Sequence, residues 1–233
     1  RQHQHRCLER RNAELSPRMK SIGLVLSGGG ALGAAHAGVV EYLEAHDYQI
    51  EYVSGVSAGS IIGALIATGR DAEDIYRVFR QVKMISLAFD FGRSNYGVLH
   101  GRKFCQTLEE LFGDARIEGL PIPVRVGATD FNTGEQVILR SGRIVDALRS
   151  SCSIPAVFTP YFHPEQERWL VDGMLAQNLP IAIAQQEYNG QIIASDVATA
   201  YCENIDFGKR RWLLRSPGLY AATDRSLRIM LRQ

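Results

Sequence analysis

The 233-residue sequence has almost no net charge, few cysteines and no long apolar run. Its formal net charge is +1, so the chain as a whole shows no electrostatic preference for nucleic acid, which is bound by clustered lysines and arginines. No apolar stretch reaches the 18 residues typical of a membrane-spanning helix, and the polar first twenty residues lack the apolar core of a signal peptide. These absences predict a chain that does not span a membrane and lies in the cytoplasm.

The four cysteines are scattered singly, without a Cys-x-x-Cys pair and without a histidine at ligand spacing. This pattern predicts reduced thiols and neither a zinc site nor a disulfide framework. No calcium-loop motif is present either, so we expect no metal and no cofactor. The cysteines are Cys7, Cys105, Cys152 and Cys202.

Basic residues are concentrated at both ends of an otherwise ordinary globular composition. Residues 1–20 carry six Lys/Arg against two Glu, and residues 208–233 carry seven Lys/Arg against one Asp. We therefore predict a basic polar segment at 1–20, one domain at 21–207, and a basic helical segment at 208–233 that belongs to that domain or to a longer chain. The missing initial Met favours a piece of a longer protein.

Alternating strand and helix patterns predict an α/β fold. Ile22–Ser27 and Ile50–Val53 are short apolar runs that fit buried parallel strands, and each is followed by a helical pattern. Two successive crossovers of this kind imply an open sheet. Val124–Asp130 and Gln136–Leu139 have the pattern of a hairpin, so the sheet is expected to be mixed. Further helices are predicted at Ala34–Ala45, Ala58–Thr68, Asp71–Val82, Arg102–Phe112, Ile144–Ser150 and Pro180–Tyr188, further strands at Trp169–Val171 and Gln191–Val197, and a loop around Val157 and Phe158.

A Gly-x-Ser-x-Gly motif, Gly55 to Gly59, lies between the second strand and its helix. In such a tight turn a serine is pushed into an exposed, strained position, and glycines on either side leave room for close packing. The following helix N-terminus favours developing negative charge. This arrangement makes Ser57 a candidate nucleophile.

The glycine loop Gly28–Gly33 allows two interpretations. It formally matches the dinucleotide fingerprint Gly-x-Gly-x-x-Gly. However, the acid that should bind the ribose is missing from the end of the next strand, where Ser54 leads into the serine turn. A loop of consecutive glycines can instead supply backbone N–H groups to an oxyanion, which makes Gly28, Gly29 and Gly30 candidate donors. Nucleotide binding remains the lower-ranked alternative.

None of the six histidines offers an obvious general base for Ser57. The order serine, acid, histidine of α/β-hydrolases is compatible only with His163 and an earlier acid such as Asp130, and neither lies in a motif. A structural role is the default for each histidine.

Four ordered blocks resemble the patatin-like phospholipases, which use a Ser–Asp dyad without histidine. The blocks are Gly28–Gly33, Gly55–Gly59, the segment Ala147–Pro155, and Asp172-Gly173 followed by Asn178 and Pro180. The resemblance implies a three-layer α/β/α sandwich with a mostly parallel, mixed sheet. It also implies Ser57 as nucleophile, Asp172 as its base, oxyanion donors from glycines 28–30, motif support from Gly33, Gly55, Gly59 and Gly173, and a lipid ester such as a phospholipid or lysophospholipid as substrate.

The chain departs from the family at two positions. Leu32 stands where the family usually has Arg or Lys, and Met174 stands where a small residue usually follows Asp-Gly. These departures, together with a chain that looks incomplete, leave open a catalytically weak or silent regulatory module on the same scaffold.

Two further segments suit a lipid partner. Met84–Phe91 and the Val157-Phe158 pair are apolar and fit an acyl pocket, although Met84–Phe91 also fits a buried connecting strand. The basic-aromatic segment Lys209–Arg215, with Trp212, suits peripheral contact with an anionic membrane, but it also fits an ordinary solvated helix face or a partner contact.

Overall fold

The computed structural model of the chain describes residues 19–81 and 97–198. These residues form a seven-stranded mixed sheet and a small two-stranded sheet. The strands are β1 (Lys20–Leu26), β2 (Tyr48–Val56), β3 (Gly97–Leu99), β4 (Val124–Asp130), β5 (Gln136–Leu139), β6 (Ala156–Phe158), β7 (Tyr161–His163), β8 (Arg168–Asp172) and β9 (Gln191–Ser195). The α-helices are α1 (Ala35–Ala45), α2 (Ala58–Ala67), α3 (Ala72–Gln81), α4 (Arg102–Phe112), α5 (Ile144–Ser151) and α6 (Ile181–Glu187).

The large sheet has the order β7-β8-β4-β2-β1-β9, with β5 also paired to β4. Strands β9, β1, β2 and β4 are parallel, whereas β5 and β8 run antiparallel to β4. The predicted β4–β5 hairpin is confirmed, with Gly134 at φ 80 in its turn. The parallel strands all end at one edge of the sheet, which is where α/β folds place their functional sites.

Helices cover both faces of the sheet unequally. Side chains of a strand alternate between faces, so Ile22, Leu24 and Leu26 enter the main core with α1 to α5, while Val25 faces the other way. On that second face Val25 and Tyr52 pack against α6. The result is the predicted three-layer α/β/α arrangement, and the strands buried on both faces account for the continuous apolar runs in the sequence.

Several predicted elements differ in extent or type from the structure. The second strand reaches Val56, three residues beyond its predicted end, and therefore leads directly into Ser57. The segment around Val157 was expected to be a loop, but it is strand β6. It pairs with β3, which lies more than 50 residues earlier in the sequence, so no local pattern reveals the pairing. Asp71 caps α3 as predicted, accepting a hydrogen bond from the Asp74 amide at 2.8 Å.

Other predictions fall outside the described residues. These are the terminal segments, apart from the start of β1 at Lys20, and the apolar segment Met84–Phe91. Within residues 19–81 and 97–198, no helix is long and apolar enough to cross a membrane.

Candidate active site

The sheet register brings Ser57 and Asp172 to the same edge. Val56, the last residue of β2, pairs with Gly127 of β4, so Ser57 stands beside Ala128. Ala128 in turn pairs with Asp172, the last residue of β8. Neighbouring strands lie roughly 4.8 Å apart. Ser57 and Asp172 therefore lie two strand spacings apart, one on each side of β4.

Ser57 adopts the strained backbone that its motif predicts. Its φ is 52 and its ψ is −123, an unfavourable region for a residue with a Cβ. Two side-chain hydrogen bonds help to hold the turn: the Ser57 amide donates to Ser151 Oγ at 2.8 Å, and the Ser57 carbonyl accepts from Ser60 Oγ at 2.6 Å. Ser151 itself donates to the Gly127 carbonyl at 2.6 Å, which fixes the turn to β4. These bonds stabilise a backbone conformation that Ser57 alone would not keep.

The glycines of the two short motifs are required by close backbone contacts. A Cβ on Gly59 would lie 2.5 Å from the Leu26 carbonyl oxygen. Helix α2 therefore crosses the end of β1 so closely that no side chain fits between their backbones. A Cβ on Gly55 would lie 2.5 Å from the Gly59 carbonyl oxygen. Gly173 lies against the Gly127 backbone, where a side chain would collide. Three of the predicted support positions therefore have a steric reason to be glycine.

Asp172 is fully buried and only half of its carboxylate is bound. Its Oδ1 accepts a hydrogen bond from the Met174 amide at 2.9 Å. Its Oδ2 has no hydrogen-bond partner among the residues that the structure describes. Burial raises the pKa of Asp172 to about 7, while the Met174 amide and the nearby Ser57 hydroxyl act in the opposite direction. A carboxylate with a pKa near neutrality and one unbound oxygen beside a serine hydroxyl is suited to accept a proton.

The glycine loop presents two free amides. The Gly28 amide donates to Asn178 Oδ1 at 3.1 Å and is therefore engaged. In the described part of the chain, no hydrogen bond leaves the amides of Gly29 or Gly30. Gly30 has φ 56, a conformation that favours glycine. Of the three predicted donors, Gly29 and Gly30 are thus available without breaking a bond, and Gly28 is not.

The end of the glycine loop packs on the helix that follows the serine. A Cβ on Gly33 would lie 2.5 Å from the Ala58 Cβ, so this glycine lets the loop lie directly on the start of α2. The loop and the serine turn therefore pack directly against each other.

An apolar cavity of about 420 Å³ opens beside the serine. Its walls come from the glycine loop, α2, α3, α4 and the Cys152–Phe158 segment. Within the described residues, only Ser57, Thr107 and Tyr76 bring polar side chains to the lining. The lining residues are Gly30, Ala31, Ala34, Ser57, Ala58, Ile61, Tyr76, Val78, Phe79, Phe104, Thr107, Leu108, Leu111, Cys152, Ile154 and Phe158. Phe158 is in this wall as expected, whereas Val157 is 42% exposed and is not part of it.

The histidines have other partners. His36 Nδ1 lies 2.8 Å from Ser195 Oγ and His36 Nε2 lies 2.9 Å from the Ser27 carbonyl oxygen. His163 is fully buried in β7 rather than in the predicted loop, and its Nδ1 accepts from the Gln166 amide at 3.2 Å. Burial lowers the pKa of both imidazoles. No hydrogen bond joins a histidine to Ser57 within 19–81 and 97–198.

One buried cation near the site was not predicted. Arg149 is 1% exposed and donates to the His100 carbonyl at 3.0 Å, to the Thr159 carbonyl at 3.4 Å and to Ser153 Oγ. Its guanidinium also lies over the Phe158 ring, 5.0 Å from the ring centre. Arg149 therefore fixes the cavity wall that contains Phe158. The arginine lies in one of the four blocks, but two of its acceptors are backbone carbonyls, and that of His100 is 49 residues away in sequence, a contact that no local pattern indicates.

Comparison with known proteins places these features in a family. A sequence profile of the family described as Patatin-like phospholipase matches residues 24–184. An uncharacterized NTE family protein of Mycobacterium tuberculosis is 33% identical over 201 residues, which cover 86% of this chain and 34% of the relative. The neuropathy target esterase sws of Drosophila melanogaster is 33% identical over 184 residues, 77% of this chain and 13% of that protein. The chain thus spans about a third or less of these relatives.

A solved structure supports the same fold. The crystal structure of VipD from Legionella pneumophila superposes with a TM-score of 0.56 at 13% identity, covering 93% of this chain and 67% of that one. The profile match includes the glycine loop, Ser57 and Asp172, and it covers well over half of the sequence. The chain belongs to the patatin-like phospholipase family.

Proposed function

We propose that this chain hydrolyses a carboxylic ester of a lipid through a Ser57–Asp172 dyad. The observation that carries the proposal is the unbound Oδ2 of buried Asp172 beside a strained serine at the mouth of an apolar cavity. A structural aspartate would be expected to have both oxygens bound, because an unbound buried oxygen costs stability. The cost is explained if this oxygen is kept for the serine proton.

The first half of the reaction forms an acyl-enzyme. Ser57 Oγ attacks the ester carbonyl carbon while its proton passes to Asp172 Oδ2, and the carbonyl oxygen becomes an alkoxide near the Gly29 and Gly30 amides. The alkoxide then collapses, the C–O bond to the alcohol breaks, and the proton on Asp172 passes to the leaving oxygen. Each donor of an oxyanion hole is typically worth about 2.7–4 kcal/mol of transition-state stabilisation.

Water completes the cycle. It attacks the acyl carbon, gives its proton to Asp172, and releases the fatty acid as the proton returns to Ser57 Oγ. The same carboxylate therefore acts twice as base and twice as acid, for which a pKa of about 7 is well matched. No cofactor takes part in these steps.

The cavity argues for an acyl chain as the bound group. Its volume of about 420 Å³ is in the range of small-ligand sites, and its lining is apolar. Each methylene moved from water into such a site contributes about 0.8 kcal/mol. The lining contains no Lys or Arg among the described residues, which favours an acyl chain over the phosphates of a nucleotide.

The two departures from the family pattern do not fill the site. Leu32 is 38% exposed and Met174 is 41% exposed, and neither lines the cavity. This favours an active enzyme over the silent module.

Peripheral contact with an anionic membrane through residues 209–215 is also part of the proposal. Failure of the protein to float with anionic liposomes would remove this part.

A fluorophosphonate probe tests the activated serine. We expect labelling of the peptide that contains Ser57 in the wild type, none in Ser57→Ala, and a rate reduced by at least about 100-fold in Asp172→Asn. Ser21→Ala and Asp114→Asn are matched controls, because both residues are exposed and remote from the turn, and they should label like the wild type. A folded wild type that does not label would support the silent regulatory module instead.

A further inference from the structure

The first peptide group of the glycine loop is held from both ends by side chains outside the loop. The Ser27 carbonyl accepts from His36 Nε2 at 2.9 Å. The Gly28 amide, at the other end of the same peptide group, donates to Asn178 Oδ1 at 3.1 Å and, at 3.4 Å, to the Asn178 backbone carbonyl, which Asn178→Ala would keep. Because both ends are bound, this peptide plane cannot rotate without losing a hydrogen bond.

The next peptide group is oriented by the same asparagine. The Gly28 carbonyl accepts from Asn178 Nδ2 at 3.3 Å. In a trans peptide the C=O and N–H point in opposite directions, so the Gly29 amide points away from Asn178. A Cβ on Gly28 would lie 3.1 Å from the Ser57 Cβ, so the loop passes directly against the nucleophile. Asn178 thus orients the amide that we assign to the oxyanion.

The histidine side chain is itself fixed by a second hydrogen bond. A carbonyl only accepts, so His36 Nε2 carries the proton, and His36 Nδ1 accepts from the Ser195 hydroxyl at 2.8 Å. His36 is fully buried in α1, below the loop. Asn178 lies six residues after Asp172, so one segment carries both the base and the clamp.

We propose that His36 and Asn178 are positioning residues that hold the glycine loop as an oxyanion hole. The inference rests on the proposed ester hydrolysis, and it adds two residues that do not touch the reacting atoms. Loss of the clamp should weaken binding of the transition state and leave binding of the ester unchanged.

The test compares wild type with Asn178→Ala and Asn178→Asp. The aspartate keeps an acceptor for the Gly28 amide but loses the donor to the Gly28 carbonyl. It also adds a negative charge near the proposed oxyanion, so the pH profile is compared in Asn178→Ala, which adds none. Gln177→Ala is the control, because Gln177 is a half-buried neighbour of Asn178. Among the described residues its hydrogen bond is made by the backbone amide, which donates to the Gly173 carbonyl, and this bond is kept in the variant.

Amide hydrogen exchange of the peptide covering 27–33 is measured first, and it does not depend on activity. Faster exchange is expected in Asn178→Ala and wild-type exchange in Gln177→Ala. Unchanged exchange in Asn178→Ala would overturn the clamp, whether or not the protein turns out to be an esterase.

Kinetics with a water-soluble ester then decide whether the clamp matters for the reaction. Both Asn178 variants should lose on the order of 10- to 100-fold in kcat with KM unchanged. Affinity for a trifluoromethyl ketone, which mimics the tetrahedral intermediate, should fall in parallel, and the apparent pKa of the pH profile should stay where it is. Faster exchange with unchanged kcat and ketone affinity would overturn the positioning role. A wild type that neither turns over nor labels would refute the ester hydrolysis, and the exchange rates would still decide whether Asn178 holds the loop.

Discussion

At the scale of single residues, the proposed reaction depends on the ionisation of Asp172. As the proposed base, Asp172 would accept the serine proton only as a carboxylate, and burial raises its pKa to about 7. We therefore expect kcat/KM to fall about tenfold per pH unit below that value and to level off above it. A pH–rate profile with a soluble ester checks this, and a profile that stays flat down to pH 5 would contradict Asp172 as the base.

The same buried carboxylate should lower the stability of the protein above neutral pH. Its folded pKa of about 7 lies above the usual 3.8, so the folded state binds the proton more tightly, and stability is lost as the pH rises from about 4 to 7. Asp172→Asn cannot ionise and keeps an acceptor for the Met174 amide. It should be more stable than the wild type at pH 8, by at most about 4 kcal/mol, and nearly equal at pH 4.

Thermal melts across pH 4–8 measure this difference. The gap in Tm between Asp172→Asn and the wild type should grow up to pH 7 and then remain constant. The exposed Asp114→Asn serves as the control and should show no such pH dependence. A difference in Tm that is the same at every pH would mean that ionisation of buried Asp172 does not destabilise the folded protein.

The residues proposed to carry the chemistry could be named from the sequence, and most of their structural partners could not. Ser57 and the glycines lie in short motifs whose backbone demands are local, so spacing alone predicts them. Asp172 required the ordered set of four blocks. Ser151 and Arg149 lie within the Ala147–Pro155 block, but they bond to backbone groups distant in sequence, so the block alone does not indicate what either side chain does.

At the scale of elements, the contact between β1 and α2 sets the geometry of the serine turn. Gly59 is the closest point, because an added Cβ would lie 2.5 Å from the Leu26 oxygen and 2.6 Å from the Ser27 oxygen. Both are backbone atoms that cannot move independently. We expect Gly59→Ala to lower the free energy of unfolding by about 1–3 kcal/mol and to reduce activity, as α2 shifts away from β1.

Gly119→Ala is the matched control for this change. Gly119 has no atom within 4 Å of an added Cβ, so its substitution should change the free energy of unfolding by no more than about 0.5 kcal/mol. Urea denaturation compares the two variants. Equal stabilities would show that the crossing of α2 over β1 is not as tight as described.

Strand and helix patterns were most informative where the elements are regular. The apolar run of β1 and the hairpin of β4 and β5 were predicted within one or two residues. Strand β6 was missed because its partner β3 lies more than 50 residues away. In addition, the Val157-Phe158 pair lies between Pro155 and Pro160, which is a pattern typical of a loop. Short strands of this kind depend on tertiary contacts rather than on propensity.

At the scale of the whole molecule, the candidate site lies at the edge of the sheet where the parallel strands end. Strands β1, β2 and β8 end near the same edge of the sheet, with β4 between β2 and β8. They are followed or ended, in that order along the sequence, by the glycine loop, the proposed nucleophile and the proposed base. Helices α2, α3 and α4 then enclose the cavity on one face of the sheet. The protein family could be predicted from the four blocks, but the size and position of the cavity depend on how these helices pack.

The most direct test of the account is to look for the acyl-enzyme. The protein is mixed with the p-nitrophenyl ester of a long-chain fatty acid, quenched in acid, and examined by mass spectrometry. We predict that the mass of the peptide containing Ser57 increases by that of the acyl group, and that Asp172→Asn shows little acylation. Ester turnover without any acylated Ser57, or acylation of a different residue, would contradict the proposed dyad.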